Sequence, residues 1–313
     1  MKGLELCKRF YYEHGEKMLK NEFSDILDKI AIGLIGGGSE CLGYDDELSQ
    51  DHDFEGGFCI FLPGEDIVDR KTAFKLERAY SKLPKEFMGF KRAPLSPVGG
   101  NRHGVIRISD FLMDKTGTAD GALSLREWLR VPEQALLEAT NGQIFYDGLG
   151  ELTRIREALS YLPEDIRLKK LAGHLLNMAQ SGQYNYLRCV ERGESGGAQL
   201  AIFELVKSAL CVIFLLNKKY IPYYKWSFRA LLELDVLSSL HDPLEYLISS
   251  ANTPSLAKEK QEIIERVCSL IIDELRTQGL TNYCGDELEG HAYSVNNHIG
   301  CAEVRNLHIL CAI

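Results

Sequence analysis

The feature that most narrows the possible folds is a Gly-Ser turn set between one short apolar run and an Asp-x-Asp element that leads into another. Ile30 to Ile35 is apolar, Gly36-Gly37-Gly38-Ser39 follows, and eleven residues separate Ser39 from Asp51-His52-Asp53. A Gly56-Gly57 pair then opens the second apolar run, Phe58-Cys59-Ile60-Phe61-Leu62. Runs of this length bounded by glycine read as strands, so the turn and the acid pair both fall at strand ends. Residues two apart in a strand point the same way, so Asp51 and Asp53 project together, with Cα atoms about 6.5–7 Å apart. His52 and Phe54 face the other side.

Two such carboxylates can share a divalent cation. Mg²⁺ (or Mn²⁺) takes a few carboxylate oxygens and completes its shell with water and phosphate oxygens, which suits an open pair on a strand end. Gly37, Gly38 and Ser39 supply unhindered backbone N–H groups and a hydroxyl, donors fitted to the terminal phosphates of a triphosphate. The combination points to ATP or another nucleoside triphosphate bound with its metal.

Around these elements the pattern alternates. An amphipathic helix is expected over residues 4–21, a helix from about Asp66 to Leu83, a third strand at Gly104 to Ile108 and a fourth within Gly142 to Gly148, with a helical pair at Leu123 to Leu129 and Glu133 to Ala139. Beyond Gly150 the strand signals stop, and helical patterns fill 151–161, 164–192, 198–219, 225–240 and 255–278. The Gly193 to Gly197 cluster reads as a turn between two of these helices. The expected fold class is α/β (α+β): a small mixed sheet in residues 1–148, followed by an all-α bundle in 149–313, two domains being what 313 residues ordinarily make. The tail, 281–313, is weakly patterned, though Ile299 and Val304 to Ile313 are apolar enough to dock.

Composition removes several function classes. With 36 Lys and Arg against 45 Asp and Glu, the formal charge is −9, which disfavours a large phosphate-backbone footprint, so no DNA partner is expected. Nine cysteines occur without one Cys-x-x-Cys pair, neither a disulfide framework nor a zinc spacing, and a reducing cytoplasmic location is the simplest expectation. Charges at Lys2 and Glu5 leave no apolar signal region, and Ala198 to Tyr220 is interrupted by Glu204 and Lys207, so a buried helix is expected there and no membrane partner.

The ordered set of Gly-Ser, Asp-x-Asp and their two strands resembles the nucleotidyltransferase signature of the DNA polymerase beta superfamily. Gly38-Ser39-Glu40-Cys41-Leu42-Gly43-Tyr44-Asp45, Ser49-Gln50-Asp51-His52-Asp53-Phe54, Trp128-Leu129 with Pro132-Glu133-Gln134, and Tyr220-Ile221-Pro222-Tyr223-Tyr224-Lys225-Trp226 are similar to the bacterial family called domain of unknown function 4037. The resemblance implies a minimal nucleotidyltransferase domain followed by a helical one, as in the aminoglycoside and lincosamide nucleotidyltransferases, with Ser39 on phosphate and Asp51 and Asp53 on metal. Where the family carries Gly-Pro-Arg after its acid pair, this chain has Glu55-Gly56-Gly57, leaving Arg107, Arg102 or Lys91 as substitutes for the arginine. The superfamily's third carboxylate belongs on the third strand, which holds no acid here. Asp110, just past it, is the candidate, with Glu55, Glu194 and Glu204 as alternatives.

Lys225, between a helix-ending Pro222 and an aromatic cluster, is a candidate to reach a phosphate or stack on a base, or equally to pack a helix junction. The expected activity is transfer of a nucleoside monophosphate, AMP from ATP by default, to a hydroxyl of an acceptor, a small molecule being favoured over protein or tRNA. Asp51, Asp53 and Asp110 are the expected catalytic residues; Gly37, Gly38, Ser39 and Lys225 the nucleotide-binding ones. The alternative is a nucleotide-binding protein with weakened turnover, or an interaction protein of the toxin and antitoxin type, on the same fold.

Overall fold

A computed structural model describes residues 1–50, 54–92 and 103–313. Asp51, His52, Asp53 and Arg102 lie outside the described residues. The chain divides into two compact units, one of Met1–Glu127 with Val131–Ser160, the other of Trp128–Arg130 with Tyr161–Ile313. The first mixes a small sheet with helices, and the second is helical.

The first unit opens with α1 (Gly3–Phe10) and α2 (Glu16–Glu22), joined by a π-helical turn at Tyr11–Gly15 where the sequence predicts one regular helix. Asp45 holds its start: Oδ2 accepts from the Gly3 N–H at 2.7 Å, and the carboxylate lies 3.5 Å from Lys2 Nζ. Strand β1 (Ala31–Leu34), α3 (Ser39–Leu42), β2 (Cys59–Leu62) and α4 (Arg70–Ser81) follow. α4 starts later than Pro63-Gly64 suggests because Asp69 caps it, its carboxylate accepting from Thr72 N–H at 2.7 Å. A short hairpin of β3 (Glu86–Phe87) and β4 (Phe90–Lys91) precedes β5 (Gly104–Arg107), α5 (Ile108–Thr116), α6 (Leu125–Arg130), α7 (Glu133–Thr140), β6 (Gln143–Asp147) and α8 (Glu151–Ala158).

The main sheet has the order β5-β2-β1-β6, antiparallel between β1 and β2 and between β1 and β6, and parallel between β2 and β5. Strand alternation divides its residues between two faces. Ile32, Ile60 and Leu62 join Leu6, Phe10, Leu19, Leu76 and Tyr80 in the core under α1, α2 and α4. Phe61 turns the other way, onto Phe111 of α5, with ring centroids 5.3 Å apart. α8 is tied to this unit by polar contacts: Asp147 accepts from Thr153 N–H and Oγ1, both at 2.8 Å, and Arg156 donates to the carbonyls of Ala139 and Thr140 at 3.2 and 2.6 Å.

The second unit is built on α9 (Glu164–Met178), α10 (Leu187–Glu191), α11 (Ser195–Leu216), α12 (Tyr224–Leu231), α13 (His241–Ser249), α14 (Pro254–Thr277), α15 (Leu288–Asn297) and α16 (Ala302–Arg305). A second π-helical stretch, Ala179–Tyr186, joins α9 to α10, so the pattern over 164–192 is one helical path with a π interruption. Gly196 and Gly197 lie in the first turn of α11 instead of the expected loop, and the expected helix at 225–240 ends at Leu231. α11 is long and apolar enough to cross a bilayer, yet 67% of its most apolar window is buried within the protein. That burial makes it the core helix of the bundle.

The weakly patterned tail docks here. α15 and α16 pack on α9, and the fully buried Lys169 of α9 donates to Asn296 Oδ1 at 2.9 Å and to the carbonyls of Arg305 and Leu307 at 3.2 and 2.6 Å. A buried ammonium is tolerated only when its hydrogens are taken up this way. Replacing Lys169 with Met removes three part-buried charge-assisted bonds, so the variant should lose about 2–4 kcal/mol of stability in urea titration.

Candidate functional site

The sheet registers decide where the site forms. Gly33, near the end of β1, pairs with Cys59 at the start of β2, and Cys59 pairs in turn with Gly104 at the start of β5. Leu34 pairs with Gln143 at the start of β6. The segment leaving β1 and the segments entering β2, β5 and β6 therefore gather at one sheet end. The Gly36 to Ser39 turn leaves β1 there.

A cavity of about 550 Å³ lies at this end. Gly36, Gly37, Gly38, Glu40 and Cys41 line it from the turn and α3, Cys59 and Phe61 from β2, and His103 through Ile106 from the entry and body of β5. Phe111, Asp114 and Lys115 of α5, Glu138 of α7, and Leu34 and Ile35 at and just past the end of β1 are the other described residues that line it. Its size falls within the ordinary range of small-molecule sites.

The turn is fastened. Gly36 has φ +135°, a conformation that side-chain-bearing residues rarely adopt. Its N–H donates to Asn141 Oδ1 at 3.0 Å while Asn141 Nδ2 donates back to its carbonyl at 2.6 Å. Asn141 is placed by the end of α7, where Arg156 caps the carbonyls of the last turn. The Gly142 N–H reaches the Cys41 carbonyl at 3.1 Å, so α3 is pinned from the same loop.

The charges around the turn are mixed. A Cβ at Gly38 would lie 1.9 Å from Glu40 Oε1, and one at Gly37 would lie 3.0 Å from Glu138 Oε1, so two carboxylates sit directly on the turn. Lys115 bridges Glu138 Oε2 at 2.8 Å and Asp114 Oδ2 at 3.1 Å. Burial works against its charge, but these hydrogen bonds outweigh it and raise its pKa above the usual lysine value. Cys59 is an inert thiol, pushed up to about 12 by burial and then by the neighbouring Cys7.

Of the residues singled out in the sequence, Gly37 and Gly38 line the cavity, and Ser39 is half-buried as the first residue of α3. Asp51 and Asp53 lie outside the described residues. Asp110 is exposed in the first turn of α5 and is not brought to the cavity, where α5 contributes Phe111, Asp114 and Lys115. Arg107 is spent on structure, donating to the carbonyls of Pro63 and Val68 at 2.7 and 3.0 Å. Lys91 is exposed on β4. Lys225 belongs to the second unit, exposed on α12 with Nζ 4.9 Å from the Trp226 ring centroid, a cation–π contact.

Among the cavity residues that carry no expectation from sequence is His103, whose Nδ1 meets Glu55 Oε1 at 3.0 Å. The signal for it was present as the Glu55-Gly56-Gly57 departure, since a Cβ at Gly57 would lie 2.4 Å from that imidazole nitrogen. Pairing of that segment with the residue ahead of β5 follows from the parallel register, which a single sequence does not state.

Asn141→Ala removes both bonds to Gly36. We expect a loss of about 1–3 kcal/mol in denaturant unfolding, the cost of stranding partly buried backbone groups, with faster amide hydrogen exchange concentrated at residues 36–40.

No curated protein matches the chain. Residues 128–227 match the sequence model of a family described as Domain of unknown function (DUF4037), a segment that takes in Trp128-Leu129, Pro132-Glu133-Gln134 and Tyr220 to Trp226 and begins downstream of the Gly-Ser turn. Over that segment the chain is similar to the family to which its motifs point.

Proposed function

We propose that the protein is a nucleotidyltransferase that binds a nucleoside triphosphate, ATP by default, together with Mg²⁺ or Mn²⁺, and moves the nucleoside monophosphate to a hydroxyl of a small-molecule acceptor. The observation that carries this reading is the cavity of about 550 Å³ rimmed by the Gly36 to Gly38 turn at the sheet end where β1 stops and β2 and β5 begin. In this reading Asp51 and Asp53 hold the metal, while Gly37, Gly38 and Ser39 hold the outgoing phosphates. The acceptor hydroxyl oxygen would attack the α-phosphorus, its proton passing to a base or to solvent, as the bond to the bridging oxygen breaks and pyrophosphate leaves. The protein contributes position and charge neutralisation.

The carboxylates on the turn favour a metal–nucleotide complex over a bare phosphate. Glu40 beside Gly38 would repel an uncompensated anion brought to the turn, and a divalent cation arriving with the phosphates would offset that repulsion. Lys115, already bridging Glu138 and Asp114, lies on the same wall.

Calorimetric titration of the full chain with a non-hydrolysable ATP analogue tests the reading. Binding should require Mg²⁺ or Mn²⁺, and Asp51→Asn and Asp53→Asn should each weaken it at least about tenfold, or about 1.4 kcal/mol. A wild-type chain that takes up no analogue in the presence of metal overturns it.

A further inference from the structure

We infer that His103 is the proton acceptor of this site: its Nε2 takes the proton from the attacking hydroxyl, and Glu55 only positions the ring. The inference rests on the nucleotidyltransferase reading and supplies the residue that it lacks, because β5 carries no acid and Asp110 lies off the cavity.

The geometry is that of an oriented imidazole. His103 lines the cavity beside the Gly36 to Gly38 turn and is 7% exposed. Its Nδ1 lies 3.0 Å from Glu55 Oε1, and its Nε2 is buried with no hydrogen-bond partner among the described residues. A carboxylate oxygen can only accept, so in the neutral ring Nδ1 holds the proton and Nε2 presents its lone pair. A buried nitrogen without a partner is costly, and such a group in a native protein calls for an explanation, of which a catalytic role is one. The ring is fixed from behind by Gly57, where a Cβ would come within 2.4 Å of Nδ1 and 2.5 Å of Cγ.

The other ionisable groups on the described cavity wall are less suited. Glu138 and Asp114 are held by Lys115, Glu40 lies on Gly38 where phosphate would bind, and Cys59 is held as a neutral thiol by burial. In the step itself, the acceptor O–H bond breaks as the oxygen attacks the α-phosphorus. The proton passes to Nε2, pyrophosphate leaves with its metal, and the imidazolium then returns the proton to solvent. Glu55 stabilises the imidazolium without taking its proton.

The test uses the full chain, ATP labelled at the α-phosphate, Mg²⁺, and water or molar glycerol as the hydroxyl source, with calorimetry of the ATP analogue run in parallel. His103→Gln should lower the formation of AMP or glyceryl-AMP at least about 100-fold, the usual contribution of a general base, while the analogue binds within threefold of wild type. Free imidazole should restore part of the rate to His103→Ala, and Gly57→Ala should lower it by displacing the ring. Turnover unchanged in His103→Gln overturns the inference and leaves the nucleotide reading standing. So does a wild type that binds the analogue with metal yet transfers to neither hydroxyl, since a working base would activate both. A wild type that binds no nucleotide overturns both proposals together.

Discussion

The pairing of β2 with two neighbours of opposite sense is the constraint from which the first unit follows. β1 runs against β2 and β5 runs with it, so the exit of one strand and the entries of two others share an edge. Glycine-rich backbone, an imidazole and a carboxylate, distant in sequence, are brought together by ladder hydrogen bonds. Side-chain attraction alone would not select this meeting, because separate segments of such polarity gain little from one another in water. The apolar face of the same sheet supplies the driving force: Ile32, Ile60 and Leu62 bury against α1, α2 and α4. Each fully buried aliphatic side chain is worth about 1.5–3 kcal/mol.

The polar fastenings then determine shape more than stability. Asn141 on Gly36, Arg156 on the end of α7 and Asp45 on the start of α1 each satisfy backbone groups that regular structure leaves open. They hold the turn in a conformation that a chain without them would leave.

Much of the first unit is legible in the sequence because glycine brackets its strands. Ile30 to Ile35 and Phe58 to Leu62 are short, apolar and bounded, and both form strands close to those limits. Helix starts are less legible where two signals compete: Pro63-Gly64 offers a break, but Asp69 provides the cap that sets the first turn. The π-helical turns at Tyr11–Gly15 and Ala179–Tyr186 are invisible to a 3.6-residue period, which they barely disturb. Asp110 illustrates the limit for the site. Its place after β5 is readable, but which side of α5 it occupies depends on how that helix packs, and Phe111 is the residue drawn inward. His103 was hidden for the complementary reason, since its partner stands 48 positions away.

Lys169 bears on how the second unit comes into being. Its ammonium is enclosed by groups contributed by Asn296, Arg305 and Leu307, up to 138 positions further along the chain. On a ribosome these acceptors emerge well after α9, when the first unit is already free to fold. Until then α9 carries a cation on a surface destined for the interior, and water must solvate it there. The bundle thus has a built-in delay: this polar clasp cannot close until Leu307 has followed Lys169 out, 138 positions later.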